Sequence, residues 1–542
     1  MKKTILFFAF LFIGVSTSIA NNVQLSNVSI SNAGSGQITV EFDLSWDNSW
    51  RVNVGPANYD GVWVFFKYKL NNGKWTHLNL TGNNNSTPSG FSIFQNSGVN
   101  KVGAMIYRDA SNLGSGNVSA TNISLGVINN LPYDIDIRAF AIEMVYVPEP
   151  PIGRPVFGDG DGTTESTNAL HYSNNYSTSN SNLPIYCDAN SFDDSKLTND
   201  GIYVDKNDTI QTLNPISALT AFPTMKALWC MKYEVSQAQY RDFLNTLDSL
   251  QQSKRMDAAP NSAIGTKLFG ITPVRNYLEI AIPATSTSAA VIGCDANNNN
   301  IFDQSGDGEW VACNFLNWAD MAAYLDWSGL APMSEIQFER MCRGNSSAGA
   351  NPSVLGEFAW GDTTIMKVPY ILTNSGTEAE KVSNASTIAG NAVYGLTATS
   401  ANALLRSGVF ATATSNRVTS GATYYGIMEM SGSVYEYCIS IGQNAGRSCK
   451  YVPNGDGVLS ANGNAKLSVS GAGYWPGMEG NSSTTTAQNC FGTCEVTGAG
   501  GIRLRGGAVT VGTMPSISDR GTLFVPTARS HDRGGRGVLH LR

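Results

Sequence analysis

The sequence predicts an α+β protein in which an antiparallel β-sandwich precedes a larger, loop-rich domain. Apolar and polar residues alternate through residues 21–141, and three capped, amphipathic helices follow within residues 236–344. The chain also has 55 glycines among 542 residues, which favours turns and irregular loops over long helices. With 42% hydrophobic and only 14% charged residues, its composition is that of a globular protein.

Residues 1–20 have the pattern of a secretory signal peptide. Lys2 and Lys3 supply the positive charge, an apolar run covers residues 5–15, and Ser18-Ile-Ala20 is a small-x-small cleavage site. The run is too short to span a bilayer, and no later stretch is long enough, so no transmembrane segment is expected. We predict export through a cleaved signal peptide to the periplasm, the cell surface or the extracellular space, without a lipidated cysteine because residue 21 is Asn.

The net charge restricts the classes of partner. The chain has 35 basic and 42 acidic residues, and loss of the two signal-peptide lysines changes the net charge from −7 to −9. An acidic surface disfavours nucleic acid and anionic membranes as partners.

Residues 21–141 predict seven or eight short strands. Gln37-Ile-Thr-Val-Glu-Phe-Asp-Leu-Ser-Trp46 alternates, whereas Val62-Trp-Val-Phe-Phe-Lys-Tyr68 is a more continuous apolar run. Strands at this spacing are typical of an Ig-like antiparallel β-sandwich. We expect this domain, residues 21–141, to be a spacer or docking module, with a specific binding site as the alternative. Four prolines within residues 148–155 indicate a boundary or a stiff entry loop near the start of the domain at 142–542.

Three helices are predicted from their caps and apolar stripes. The first begins at the capping box Ser236–Gln239, the second covers Asn317–Gly329, and the third runs from the capping box at Ser334 to Gly344. The stripes indicate core positions rather than a cofactor site. After residue 344 no long periodic run occurs, which predicts a fold dominated by loops.

The nine cysteines include no C-x-x-C motif, which disfavours zinc ribbons and thioredoxin-like chemistry. Export permits disulfides, and two pairs are considered, Cys490–Cys494 and Cys438–Cys449. Cys313 and Cys342 lie in apolar patterns and are predicted to be core. Four histidines offer little material for a zinc site or a Ser-His-Asp triad.

The last 38 residues, the closing segment 505–542, contain a regular skeleton of glycine and arginine. We expect the skeleton to be structural, with glycines at turns and arginines fastening loops to carboxylates and carbonyls. Its members are Arg505, Gly506, Gly507, Asp519, Arg520, Arg529, Gly535, Arg536 and Gly537.

The residues between the skeleton positions follow neither a helix nor a strand period. We predict that they form one exposed ligand-binding patch of apolar, hydroxyl and imidazole groups, suited to contact with a protein or a glycan. The patch consists of Val509, Val511, Met514, Ser516, Leu523, Val525, Thr527, Ser530 and His531. Ordinary packing is the alternative, because Val, Met and Leu are usually buried.

Six elements in order resemble the sulfatase-modifying-factor, or formylglycine-generating-enzyme, family over roughly residues 142–542. They are Glu143-Met-Val-Tyr-Val-Pro148, Met231–Leu244, Asn317-Trp-Ala-Asp320 with Pro332–Gly344, Phe358-Ala-Trp-Gly-Asp362, Tyr425–Tyr437, and the closing Arg505-Gly-Gly and Gly534-Gly-Arg-Gly-Val538. The resemblance implies a C-type-lectin-like fold for this domain.

The sequence departs from that family where its chemistry resides. The family's oxidase uses a copper-binding cysteine pair between its closing Arg-Gly-Gly and Gly-Phe-Arg elements, but residues 505–542 contain no cysteine. Copper(I) requires soft thiolate ligands, so no copper is expected. Ser433, Tyr435, Tyr437 and Val509 also replace an asparagine and three tryptophans of the family pattern.

One loop has the spacing of a calcium site. The predicted ligands occupy loop positions 1, 3, 5, 7 and 9: Asp295, Asn297, Asn299, the Ile301 carbonyl and Asp303. Asn300 stands where glycine is usual, and Gly306 at position 12 leaves the bidentate role to Asp307 or Glu309. A polar surface loop is the alternative. The resemblance adds Glu436, since the family's equivalent glutamate lies near a calcium site; its alternative role is hydrogen bonding in the core.

Three classes of function follow from these features. The first is a non-catalytic binding protein, in one form similar to the variable proteins of diversity-generating retroelements, several of which have this fold and a diversified C-terminus. The second is a structural component of an envelope, gliding or secretion machine, in which related domains occur. The third is an enzyme of the formylglycine-generating type with relocated chemistry, for which the sequence offers no catalytic constellation.

Overall fold

A computed structural model describes residues 22–149 and 226–541 except for short internal stretches, together with four two-residue strands between residues 150 and 225. The stretches outside the description are 34–36, 72, 97–100, 129–130, 132–134, 271–273, 345–353, 355, 367–368, 397–403, 442, 448, 450–451, 468–474, 480–493, 511–514 and 521–526. The predicted signal peptide at 1–20 also lies outside the described residues. Strands hold 33% of the residues and helices 11%, so the fold is β-rich and compatible with the α+β class.

Eight strands precede residue 148, as the alternating pattern predicts. They are β1 Gln24–Ala33, β2 Gln37–Arg51, β3 Asp60–Leu70, β4 Thr76–Leu78, β5 Phe91–Phe94, β6 Ala104–Arg108, β7 Gly114–Val127 and β8 Ile135–Val147. β1, β2 and β7 form a three-stranded antiparallel sheet. A shared apolar core that includes Phe42, Leu44, Val64 and Phe66 joins this sheet to a second one.

The second sheet has seven antiparallel strands and extends past the predicted domain boundary. Its order is β25-β13-β8-β3-β6-β5, with β4 on β3, where β13 is Leu228–Met231 and β25 is Val538–His540. β8 crosses residue 141 and pairs with β3 along its length and with β13 at its end. The sandwich and the last strand of the chain therefore belong to one continuous sheet.

Strand β3 is covered on both faces. Val64 and Phe66 lie in the sandwich core, whereas Trp63 and Phe65 belong to the core of the larger, C-terminal part of the chain. The Trp63 indole donates to the carbonyl of Ser328 across this junction, 2.8 Å away. Burial on both faces explains why the sequence of β3 is a continuous apolar run rather than an alternating one.

The predicted helices are confirmed together with their caps. The elements of this part are α1 Gln237–Leu244, α2 Ser249–Arg255, β14 Leu278–Ile282, β15 Val291–Cys294, α3 Trp318–Ser328 and α4 Glu335–Arg343. Ser236, Asn317 and Ser334 each cap a helix through a capping box, and Gly329 ends α3 with a left-handed φ of 74°. Helix α2 was not predicted, although Asp248 and Gln251 form a box of the same kind.

The remaining elements are short. Those after β8 and before β13 are β9 Val156–Phe157, β10 His171–Tyr172, β11 Ile185–Tyr186 and β12 Ile202–Tyr203. Those after α4 are β16 Ile365–Met366, β17 Leu372–Thr373, β18 Lys381–Val382, β19 Gly390–Asn391, α5 Arg417–Ser420, β20 Tyr435–Ile439, α6 Asn444–Arg447, β21 Met478–Glu479, β22 Glu495–Val496, β23 Ile502–Arg505 and β24 Arg533–Gly534. Among the described residues, no helix is long and apolar enough to cross a membrane.

Strand pairing anchors the closing segment at both ends. β23 pairs antiparallel with β20, and β24 pairs parallel with the other edge of β20. β25 then joins the edge of the seven-stranded sheet. The described residues between β23 and β24 are held by side-chain and backbone contacts, which the site below describes.

Candidate functional site

Helix α4 presents two carboxylates that hold the start of the closing segment. Glu335 and Glu339 are four residues apart and therefore lie on one face of the helix. Arg505 donates to both, with distances of 2.9 Å to Glu335 Oε1 and 2.6 Å to Glu339 Oε1. Arg520 donates from Nε to Glu335 Oε1 at 2.7 Å and from Nη2 to Glu335 Oε2 at 3.1 Å. All of these side chains are fully buried.

The charges in this cluster stabilise one another. Burial alone would raise the pKa of the Glu335 carboxyl, but the guanidinium groups of Arg520 and Arg505 outweigh burial and hold the pKa well below its usual range. Removing one partner of a buried ion pair leaves the other charge without compensation, at a cost of about 3–5 kcal/mol. The cluster thus fixes the backbone of the segment near residues 505 and 520.

A second and a third anchor hold the end of the segment. Arg529 binds the Asp320 carboxylate of α3 through Nε at 2.8 Å and Nη2 at 2.9 Å, and reaches Asp257 Oδ1 at 2.6 Å. Arg536 binds both oxygens of Glu436 on β20, at 2.8 and 2.7 Å, and is buried with it. These contacts agree with the predicted structural role of the skeleton arginines.

Gly506 and Gly507 make the turn after β23. Their φ angles are 86° and 71°, which residues with a side chain rarely adopt. The Gly506 carbonyl accepts from the Gly432 N–H at 2.7 Å, so the turn packs closely against the chain before β20. The predicted role of both glycines as turn residues is confirmed.

The prediction that Val509 is exposed is wrong. Its side chain has 0% exposure and belongs to the core of the large part of the chain. Its N–H donates to the Ser433 carbonyl at 2.9 Å, and its carbonyl accepts from Leu396 at 2.6 Å. These contacts keep Val509 in the interior, so the alternative of ordinary core packing is correct at this position.

The other predicted patch residues fall into three groups. Val511, Met514, Leu523 and Val525 lie outside the described residues. Ser516 is half-buried. It lies beside the chain at Glu357, because the N–H of the next residue, 517, donates to the Glu357 carbonyl. The third group is Thr527, which is exposed, with Ser530 and His531, which are half-buried.

The third group forms what we call the Thr527–His531 surface. The His531 ring meets Phe315 edge-on with centroids 6.4 Å apart, and Phe315 stacks on Phe269 at 6.0 Å. Asn317 and Asn314 donate to the carbonyls of Thr527 and His531, at 2.8 and 2.9 Å respectively. Backbone contacts and the Arg529 anchor therefore hold this surface in place. Thr527 is exposed, Ser530 and His531 are half-buried, and the Ser530 hydroxyl donates to Asp532 Oδ1.

The predicted calcium loop is closed by its own hydrogen bonds. Asp295 accepts from the N–H groups of Asn299 and Asn300, at 3.1 and 2.8 Å. Asn300 has the expected left-handed φ of 60°. The predicted additional ligand Asp307 does reach the loop and accepts from Asn297 Nδ2 at 2.9 Å.

The other contacts of the loop do not support calcium binding, which still depends only on the spacing of the ligand residues in the sequence. Asp303 is paired with Arg241 at 2.7 Å, and Ile301 is exposed. Among the described residues, no group of three His, Cys, Asp or Glu side chains is arranged to hold a metal ion. Both oxygens of Glu436, the other predicted metal ligand, accept from Arg536 and so serve the third anchor.

The described cysteines do not form a reactive pair. Cys438 and Cys449 are both free and buried, so the disulfide considered for this pair is not formed. Cys494 is disulfide-bonded, and Cys490, its predicted partner, lies outside the described residues. Burial raises the pKa of every described free thiol, which keeps it protonated: these are Cys230, Cys294, Cys313, Cys342, Cys438 and Cys449.

The sequence did not identify the carboxylates that receive the arginines. A signal was present in α4, where Glu335 and Glu339 lie four residues apart in an otherwise buried helix. Asp320 was visible as the third residue of a capped helix, but its contact with Arg529 joins positions 209 residues apart. Pairings over such distances follow from the fold and not from local spacing.

Comparison with known proteins adds no relative to this picture. No family model matches the chain, and no curated protein matches it.

Proposed function

We propose that the chain is an exported, non-catalytic binding protein whose closing segment carries the ligand-binding surface. One observation carries the proposal: buried carboxylates hold the arginines of the segment from inside, while Thr527, Ser530 and His531 reach solvent. Side chains on a backbone that is already fixed lose less entropy when a ligand binds. The surface is therefore suited to recognition without a large rearrangement.

The platform we propose is a C-type-lectin-like domain of the formylglycine-generating-enzyme type. The order of the six motifs and the helix caps at Ser236, Asn317 and Ser334 support it. A segment fixed by a few arginines tolerates replacement of the residues between them. This property favours the diversified form of the proposal, which a near-copy of the 3′ end of the gene beside a reverse transcriptase would support.

The ligand class we propose is a protein or a glycan. The surface combines hydroxyls and an imidazole, which suits hydrogen bonding, and the His531 ring lies edge-on against the buried Phe315. The negative net charge of the chain disfavours nucleic acid.

The proposal is tested by screening the mature chain against a glycan array and a displayed library of extracellular proteins. For any ligand found, the double variant Thr527→Lys with His531→Ala is expected to weaken binding by about tenfold or more, the scale of an interface hot spot. The matched control is Ile388→Ser, which changes a residue with 87% exposure outside the closing segment. Equal binding by the double variant and the control would remove the site from the proposal.

The protein is not expected to convert cysteine to formylglycine. Residues 505–542 lack cysteine, and the described free thiols are buried. Purified protein is incubated with a sulfatase-motif peptide, copper and oxygen, and the peptide mass is followed. Turnover that disappears when a single cysteine is replaced would show that the oxidase chemistry has been relocated rather than lost.

A further inference from the structure

A cleft crosses the junction between the sandwich and the large part of the chain, and none of its lining residues belongs to a predicted site. It has a volume of about 120 Å³. One wall comes from Lys67 on β3, His77 on β4 and Trp75 just before β4, and the other from α3 and neighbouring loops with Trp327 and Leu459. Ligand sites occur preferentially at such junctions between structural units.

The inner end of the cleft carries a buried positive charge. Lys67 is 2% exposed, and its Nζ donates to the carbonyls of Trp327 and Gly457, both at 2.7 Å. Nζ also lies 3.0 Å from His77 Nδ1, while His77 Nε2 lies 2.9 Å from the Val102 carbonyl. This arrangement fits a neutral imidazole that donates from Nε2 and accepts at Nδ1. Lys67 therefore contributes charge to the cleft rather than a free donor.

The free donor is the indole of Trp327. This side chain is 4% exposed and lines the cleft, and its Nε1–H has no hydrogen-bond acceptor. A buried N–H without an acceptor is costly, and a ligand oxygen would remove that cost. No described carboxylate lines the cleft.

Two acidic groups outside the lining act on Lys67 and also accept backbone hydrogen bonds. Asp326 and Asp456 act on the charge of Lys67 from outside the lining. Asp326 accepts from the N–H groups of Asp456 and Lys466, at 3.0 and 2.8 Å. The cleft itself thus combines one cation, one unpaired donor and the apolar surfaces of Trp75 and Leu459.

We propose that this cleft binds a small organic acid, with its carboxylate toward Lys67 and Trp327 and an apolar body of ring size toward Leu459 and the opening. The volume limits the size: a cavity of about 150 Å³ holds benzene, so in this smaller, open cleft a ring fits only if it extends toward the opening. The charge preference follows from a lining that contains a lysine and no carboxylate. This site is independent of the Thr527–His531 surface.

The preference for an anion depends on pH in a defined direction. Burial lowers the pKa of the Lys67 ammonium to about 7, against the opposing charges of Asp326 and Asp456. Lys67 is therefore charged below pH 7 and loses its proton above it. An organic acid that stays ionised is expected to bind more tightly at pH 6 than at pH 8.5.

Ligand-observed saturation-transfer NMR on the mature protein tests the proposal with three probes of one shape: benzoate, benzamide and benzylammonium. Benzoate is expected to bind about tenfold more tightly than benzamide, because only benzoate gains from the charge of Lys67, and benzylammonium most weakly. Lys67→Met should abolish the difference between benzoate and benzamide. Benzylammonium binding as well as benzoate, or no saturation transfer from any probe, would overturn the proposal.

Two variants that fill the cleft test whether the ligand binds there, and neither removes a buried hydrogen bond. Thr76→Trp changes an exposed residue of the rim, and Leu459→Trp a half-buried one. Each is expected to weaken benzoate binding by about tenfold or more, while Ile388→Trp, outside the lining, leaves it unchanged. Unaltered benzoate binding in both filled variants, with unchanged melting curves, would show that the acid binds elsewhere.

Discussion

The sandwich and the closing segment are held in the fold by different forces. In the sandwich, long antiparallel ladders align apolar side chains such as Leu44 and Phe66 in a continuous core. The described parts of the closing segment have only short strands and depend on arginines paired with buried carboxylates. A few directional ion pairs can thus fix a segment at chosen points, whereas the sandwich core depends on apolar burial distributed along its strands.

The largest expected effect comes from disrupting the cluster of Glu335 and Glu339 with Arg505 and Arg520. Glu335→Gln leaves Arg505 and Arg520 without their shared carboxylate charge, and should lower the free energy of unfolding by about 3–5 kcal/mol. Denaturant midpoints measure this effect, with Glu378→Gln as the control because Glu378 is exposed. A Glu335→Gln protein as stable as the control would show that the ion pairs do not hold the segment.

The pH dependence of the same variant tests whether the Glu335 charge is the source of the stabilisation. The folded pKa of Glu335 lies below the unfolded value of about 4.3, so its stabilisation is complete above that pH and is lost as pH falls through the folded pKa. The stability difference between wild type and Glu335→Gln should therefore shrink between pH 7 and pH 3.5. A difference that grows on acidification would contradict the assigned direction of the shift.

Truncation in the sandwich is expected to behave differently. Leu44→Ala removes a side chain with 1% exposure from the apolar core, at a cost of about 2–5 kcal/mol. No titratable group is lost, so this cost should be the same at pH 7 and pH 5. Urea midpoints at the two pH values test it, and a strong pH dependence would mean that the core truncation disturbs the buried charges.

The stability change of Val509→Thr tests whether this position of the closing segment is core or surface. Val509→Thr keeps the shape of the side chain but buries a hydroxyl, which costs about 1–3 kcal/mol in a site without a partner. The original expectation of an exposed residue predicts a change within about 0.5 kcal/mol instead. Chemical denaturation distinguishes the two values.

The smallest expected effect concerns the loop at residues 295–303. If its weakly charged ligand set binds calcium with a Kd of ~10⁻⁴ to 10⁻³ M, then ~5 mM calcium adds about 1–2 kcal/mol of stability. The melting temperature should rise with calcium in wild type but not in Asp295→Ala. A melting curve that calcium leaves unchanged would identify the loop as a turn closed by its own hydrogen bonds.

Local features were predictable from the sequence, whereas distant pairings were not. The predicted capping boxes at Ser236 and Ser334 involve residues three apart, and the structure has both, with a further box at the predicted helix start Asn317. The pairing of β8 with β13 and of β13 with β25 joins distant parts of the chain, so the predicted boundary at residue 141 falls inside a strand. Burial of Val509 likewise depends on contacts with Ser433 and Leu396, which no local pattern reveals.

In the candidate site, too, the roles of individual residues were predictable and their distant partners were not. Glycine and arginine spacing predicted that Gly506 and Gly507 turn the chain and that the arginines fasten it, because conformational freedom and charge are properties of the residue itself. The partners Glu335 and Glu436 were not predicted as such, since the fold decides which carboxylate each arginine meets. Exposure of the intervening residues is also set by the fold.

The most direct test compares the inside of the closing segment with its outside. Denaturant midpoints are measured for Arg536→Met, which strands the buried Glu436 carboxylate, and for Thr527→Ala on the exposed surface. A loss of about 3–5 kcal/mol for Arg536→Met and a change within about 0.5 kcal/mol for Thr527→Ala are predicted. If Thr527→Ala destabilises the protein and Arg536→Met does not, the segment is not held from inside, and the binding surface loses its support.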